Sequence, residues 1–335
     1  MRRRNKVLYS GFRFRHHNPG SGYDAVVGGC AYVNGNELPY AGHPESSFKR
    51  HLNFLCVDLV TLARGLAYDT VHYFYPENTA YLSPWALRLL GKRIVFTLHL
   101  AEREWLDAVD SPFMRLKQWS LRSAHALAVL SRAQEQRFRR EFGDKTVQFV
   151  PHGFTFGPSL TPWLEVFATR CSERRLLVVG QNYRDFDLLE RILSQRGERA
   201  VTVHLVGTDS QVRERFADRP DVIWHGRLSR VEYERLLIRS FGMLLPLSFA
   251  TANNALLEAY ACCLPVFATR IPGITDYAVD AERTLFGSAE EFWQKFDALA
   301  ELDPTSLREY CLTLRNDGEA RFAWPQIRTQ LAALY

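Results

Sequence analysis

Short apolar runs and helical patterns alternate along this chain, and the alternation runs through twice. Lys6–Phe12, Thr70–Pro76, Arg93–His99, Ala126–Ser131 and Thr146–His152 read as strands of a first series. Between them, Phe48–Leu66, Thr79–Leu90 and Pro112–Ser123 carry apolar residues at helical spacing. The pattern then restarts. Arg174–Gly180, Val201–Gly207, Val222–His225, Met243–Pro246 and Leu264–Thr269 are strand candidates. Helices fit Asp185–Gln195, Ser210–Ala217, Val231–Ser240, Asn254–Cys262 and Ala289–Ala300. Such alternation predicts βαβ units and parallel sheets. Near-continuous apolar strands suit sheets covered on both faces.

A chain of 335 residues is long for one core and suits two. The expected fold class is α/β, with two Rossmann-like doubly wound domains facing across a cleft. Residues 1–160 would form the first and residues 161–318 the second. Residues 319–335 would be a C-terminal helix, able to cross back to the first. The stretch Gly153–Arg174, with two Pro and two Gly, reads as the linker. Ligands of doubly wound sheets sit at the carboxyl ends of the strands, so the chemistry is expected in the loops that follow them.

Charge narrows the partners. The formal net charge is +5, a modest excess that does not argue for nucleic acid. It suits anionic substrates or an anionic membrane surface. Arg clusters at Arg2–Lys6, Arg13–Arg15, Arg115–Arg122 and Arg132–Arg140 accompany Trp105, Phe113 and Trp119. That mixture fits either a solvated helix face or a lipid surface. The six cysteines form no CxxC pair and have no His at zinc-ligand spacing, which reads as free thiols in a reducing compartment. The basic start MRRRNKVLYSGF lacks the apolar region of a signal peptide, and no segment is apolar enough to span a bilayer. A cytoplasmic protein without a membrane span is expected, with peripheral attachment to the inner membrane face as the variant.

The most informative window is PLSFATANNALLEAYACCLPVFATRIPGITDY, residues 246–277. Asn253 or Asn254 is a natural N-cap for the helix that follows. Amides at such a helix start can hold a phosphate. Glu258, one turn in, can accept two hydrogen bonds from vicinal ribose hydroxyls. Taken by themselves, these residues describe an ordinary capped core helix with a solvated Glu as readily as a ligand site. The loop after the first strand, RFRHHNPGSGYDAVV, holds Gly20 and Gly22, and His16 and His17 lie within it. It could cradle a diphosphate or be a flexible turn. Ser229 with Glu232 three residues on reads as a capping box.

The window resembles the donor-site signature of the GT-B glycosyltransferases of family 4. Asn253, Asn254, Ala255, Leu256, Leu257, Glu258, Ala259, Leu264, Pro265, Ala268, Thr269, Gly273, Ile274 and Asp276 carry the match. The resemblance implies a GT-B fold and transfer of a sugar from a nucleotide-diphosphate sugar to a hydroxyl of a glycan, lipid-linked or small-molecule acceptor. It implies retention of configuration, with the acceptor attacking the face from which the diphosphate departs. No metal and no cofactor are implied beyond the nucleotide sugar, which is a co-substrate. Glu258 would bind the ribose, and Thr251, Asn253 and Asn254 would lie at the diphosphate. Gly20 and Gly22 would approach the donor. Gly226, between His225 and Arg227, would lie beside the base. His99, at a strand tip, would approach the donor sugar, with Glu102 and Glu104 as neighbouring acid or acceptor-side groups. Two departures stand out. Ala250 occupies the place of a first Glu that usually contacts the sugar. Gln181 stands where an Arg of an Arg–Lys pair is common, leaving Arg184 as the nearest cation. These departures keep two alternatives open: a GT-B-shaped sugar-nucleotide epimerase and a non-catalytic partner subunit.

Overall fold

The computed structural model describes residues 6–13, 20–44, 46–107, 112–157 and 161–335. The chain divides into two compact units, residues 1–155 with 324–335, and residues 156–323. His16, His17 and most of the first two Arg clusters lie outside the described residues.

The first unit is built on six parallel strands: β1 (Val7–Gly11), β2 (Ala31–Asn34), β3 (Thr70–Tyr73), β4 (Arg93–Leu98), β5 (Ala126–Val129) and β6 (Thr146–Phe149). Their order is β2-β1-β3-β4-β5-β6. The chain winds outward first one way and then the other, so the order reverses between β1 and β3. In the second unit, β7 (Arg175–Val179), β8 (Thr202–Val206), β9 (Val222–Gly226), β10 (Gly242–Leu245), β11 (Val266–Thr269) and β12 (Leu285–Phe286) follow the order β12-β11-β10-β7-β8-β9. This is the nucleotide-binding arrangement, reversing between β7 and β10. The apolar runs explain the burial: β3, β5 and β10 are buried at every position, as strands covered on both faces must be.

Several local expectations meet a physical competitor. The stretch Gly153–Arg174 is not an open linker, since Thr161–Glu173 is helical. Pro162 falls in its first turn, where a missing N–H costs nothing. The pattern over Thr79–Leu90 splits into helices Pro76–Thr79 and Ser83–Leu89. The cause is Asp58, fully buried on the helix Phe48–Gly65. Its carboxylate accepts from the amides of Tyr81 (2.9 Å), Leu82 (3.1 Å) and Ser83 (3.2 Å) and from Ser83 Oγ (2.6 Å). A side chain from a neighbouring helix thus supplies the N-terminal cap that a helix start requires. Trp105 is fully buried and belongs to the core, so it contributes to no surface. Among the described residues, no helix is long and apolar enough to cross a membrane.

The last helix, Trp324–Ala332, closes the core of the first unit. Trp324, Ile327, Leu331 and Leu334 are part of that core. Trp324 Nε1 donates to the Gly20 carbonyl (2.8 Å), and Arg93 Nε donates to the Leu334 carbonyl (2.8 Å). Beyond the helix, the Tyr335 hydroxyl reaches into the sheet. It lies 2.8 Å from His72 Nδ1 and 3.3 Å from the Tyr9 hydroxyl, while His72 Nε2 lies 2.7 Å from Thr97 Oγ1. His72 is wholly buried, and burial pushes its pKa down to about 3. The unfolded chain takes up this proton near pH 6.5. Stability is therefore complete above pH 6.5 and falls as the pH drops toward 3. At pH 5 the loss from this residue alone is roughly 2 kcal/mol. Urea midpoints at pH 7.5 and pH 5 should show a drop in the wild type that is smaller in His72→Asn. An equal drop in both proteins would remove His72 as the source.

Candidate active site

At the carboxyl edge of the second sheet, β7, β8 and β9 each end near a glycine in the left-handed region. Gly180, Gly207 and Gly226 have φ of 75°, 69° and 61°. This conformation costs other residues about 1–2 kcal/mol. The glycines form a connected row: Gly180 N–H donates to the Val206 carbonyl (2.8 Å) and Gly207 N–H to the Gly226 carbonyl (2.7 Å). Gly226 lies at the end of β9, and a Cβ there would stand 2.6 Å from the Trp224 ring.

The crevice where the strand order reverses lies beside this row, between the loops after β7 and β10. Those loops are tied together. Asp185 N–H donates to the Pro246 carbonyl (2.7 Å), and Ser248 N–H donates to the Tyr183 carbonyl (3.0 Å). Arg184 folds back onto the tip of β7. Its Nη2 donates to the Val179 carbonyl (2.5 Å) and its Nη1 to the Asn182 carbonyl (3.0 Å). Its Nε is buried without an acceptor, and no carboxylate pairs with it among the described residues. Burial lowers its pKa to about 10, still well above neutrality, so the cation persists.

The helix Asn254–Ala261 begins at the same loop. Asn253 is its N-cap, the Oδ1 accepting from Leu256 N–H at 3.2 Å. The amides of Asn254 and Ala255 have no acceptor within the helix, as in any first turn. Thr251 is held close by the turn at Gly273, where a Cβ would come within 1.8 Å of the Ala250 carbonyl oxygen. Glu258 is not solvated: it is 8% exposed. Its Oε2 accepts from the Tyr233 hydroxyl at 2.6 Å. Burial and the Glu258 charge hold the Tyr233 hydroxyl well above its ordinary range, while Arg184 acts against them. Arg184, Tyr233 and Glu258 therefore share one electrostatic neighbourhood. Tyr233 sits on the helix Arg230–Arg239, whose predicted capping box is present: Glu232 N–H donates to Ser229 Oγ and Ser229 N–H to Glu232 Oε2. This neighbourhood combines a half-buried cation, helix-start amides and a carboxylate held by a hydroxyl. It can hold an anion and an adjacent pair of hydroxyls.

The whole second sheet, with this site, is spanned by a family model described as "Glycosyl transferases group 1", which matches residues 173–301. A second, "Glycosyl transferase 4-like domain", matches residues 12–153. The chain belongs to the group 1 glycosyltransferases. Solved structures agree on the fold. HepE from Anabaena, in complex with UDP and glucose, superposes with a TM-score of 0.68 at 14% identity, over 98% of each chain. Sucrose-phosphate synthase from Thermosynechococcus elongatus gives 0.67 at 17%, covering 98% of this chain and 88% of that one. The catalytic domain of starch synthase IV from Arabidopsis thaliana, bound to ADP and acarbose, gives 0.65 at 13%, covering 88% and 78%. No curated protein matches the sequence. The glycosyltransferase thus has the GT-B fold expected from its sequence.

The first unit of the glycosyltransferase carries the other candidates. His99 follows β4 directly and stacks on Tyr75 at 4.3 Å, with Tyr23 edge-on at 5.1 Å. Its Nδ1 lies 3.7 Å from Oε1 of Glu77, a buried residue of the short helix after β3. Glu102 and Glu104 open the next helix, Glu102–Leu106. Lys117, buried, feels both Glu77 and Glu104. Gly20 is pinned through its carbonyl by Trp324 Nε1 and Thr155 N–H, both at 2.8 Å, and the Gly22 carbonyl accepts from Ala25 N–H at 3.0 Å. Sequence reasoning passed over Glu77 and Tyr233. Glu77 had one available signal, its place just past a strand tip. Tyr233 had none, because it meets Glu258 only through the packing of two helices.

Proposed function

We propose that this glycosyltransferase transfers a sugar from a nucleoside-diphosphate sugar to a hydroxyl of a glycan or lipid-linked acceptor, with retention and without a metal ion. The observation that carries the donor assignment is Arg184, a half-buried cation whose Nε has no acceptor and which has no carboxylate partner among the described residues, at the reversal point of the second sheet. A diphosphate supplies the missing anion, and Arg184 takes the place of the absent Arg–Lys pair. Thr251 and the helix-start amides at Asn253 and Asn254 lie beside it, and Glu258 takes the ribose. The base lies toward Gly226. In the first unit, His99 is assigned to the reacting sugar and Gly20 and Gly22 to contact with the donor. Positive charge and amides set around a leaving diphosphate stabilise it as it departs, which is the task a metal performs elsewhere.

A thermal-shift screen against UDP-, GDP-, dTDP- and ADP-sugars tests the donor class. At least one should raise the melting temperature, and none would do so for a subunit that binds no donor. With that donor in hand, turnover in excess chelator should equal turnover in added manganese. Activity lost to the chelator and restored by manganese would show that a metal takes part. Product analysis with and without acceptor separates transfer from epimerisation.

A further inference from the structure

In a parallel α/β sheet, the connections from helix into strand all lie along the edge opposite the ligand edge. In the first unit three such connections are neighbours, because β3, β4 and β5 are adjacent. The one entering β3 presents Leu66, 53% exposed. The one entering β4 presents Leu89 and Leu90, 83% and 58% exposed. The helix entering β5 ends with Trp119, 43% exposed, and then Arg122. Trp119 is fixed in place: it stacks on Trp85 at 4.9 Å, and Trp85 Nε1 donates to the Trp119 carbonyl at 3.0 Å.

The same edge is cationic. Lys92 and Arg93 lead into β4, Lys145 precedes β6, and Arg88 and Arg122 stand at helix ends between them. Arg88 Nη1 donates to the carbonyls of Arg122, Ser123 and Ala124, Lys145 Nζ to those of Arg122 and Ala124, and Lys92 Nζ to that of Leu66. These bonds satisfy helix-end carbonyls, which are neutral acceptors and cancel no charge. Asp144, which pairs with Lys145 at 3.6 Å, Asp69, before β3, and Glu141, at the end of the helix Arg132–Glu141, are acidic groups on the same edge. His125, between the cations, is held below its ordinary range by burial and by Arg88, Arg93 and Lys145.

We propose that this edge of the first unit docks on an anionic lipid surface, with Leu66, Leu89, Leu90 and Trp119 entering the interfacial layer and the exposed Arg122, beside the half-exposed Arg88, Lys92 and Arg93, facing the headgroups. The assignment is independent of the donor site, since it uses none of its residues. Flotation of the full chain tests it, with vesicles of equal parts phosphatidylglycerol and phosphatidylcholine against phosphatidylcholine alone. Binding is expected only to the mixed vesicles and should weaken as salt is raised. The double substitution Leu89→Glu and Leu90→Glu should reduce binding about tenfold or more, and Arg122→Glu should reduce it severalfold. All three positions are exposed, so melting temperatures should match the wild type and show that the variants fold. Absence of binding at low salt overturns the proposal, as does equal binding to both vesicle types or undiminished binding by the double variant.

Discussion

Replacing Glu258 with Gln should weaken binding of the donor nucleotide about ten- to a hundredfold. A hydrogen bond to a charged group contributes about 1.5–3 kcal/mol, and each 1.4 kcal/mol is a factor of ten. An ionised carboxylate accepts from two vicinal hydroxyls at once, whereas an amide offers one oxygen. Tyr233 makes the geometry stringent, because its 2.6 Å bond fixes the carboxylate plane before any ligand arrives. Burial of Glu258 means that the fold must be watched as well. Gln can still accept from Tyr233 and removes a buried charge, so the unliganded protein should lose no more than about one hydrogen bond, roughly 1 kcal/mol. Tyr233→Phe is the companion variant: it keeps the charge and releases its orientation, and nucleotide affinity should fall only severalfold. Calorimetry with melting curves reads all three proteins. Equal affinity in wild type and Glu258→Gln would sink the ribose assignment. A collapse of the melting temperature without ligand would make Glu258 a structural residue.

His99→Ala should lower kcat about a hundredfold, with a much smaller change in the donor KM. That split is the mark of an interaction that strengthens in the transition state. The ring is held for such a task, stacked on Tyr75, with Tyr23 perpendicular to it and the Glu77 carboxylate 3.7 Å from Nδ1. Glu77→Gln leaves the ring in place and removes the charge beside it. It should lower kcat less than His99→Ala does. Unchanged kinetics in His99→Ala would leave the residue with packing alone.

The strands that were legible in the sequence are those long and apolar enough to be buried on both faces. β2 was not, because Ala31–Asn34 is short, half-buried and of mixed polarity. β12 has two residues, too few for any period to show. The caps at Asn253 and Ser229 could be read because a cap is local, set by residues three apart. The break after Thr79 could not, because its cause, Asp58, lies more than twenty positions away on another helix. The candidate site divides in the same way. Glu258, Arg184 and His99 stand in motifs or at strand ends. Their partners Tyr233 and Glu77 depend on which elements become neighbours, and neighbour order in a sheet is a property of the whole topology. The surface reading of Trp105 failed for a related reason: an aromatic among arginines looks exposed until its helix is packed.

The closing helix of the first unit, Trp324–Ala332, has a consequence for biosynthesis. Residues 156–323 form the second unit, so the chain completes one entire domain between laying down β6 and delivering the helix that finishes the first core. While the ribosome works through that interval, the nascent first domain lacks Trp324, Ile327, Leu331 and Leu334, and His72 lacks the Tyr335 hydroxyl. The domain made first is therefore the last to mature. During that wait it exposes apolar surface that a chaperone can recognise.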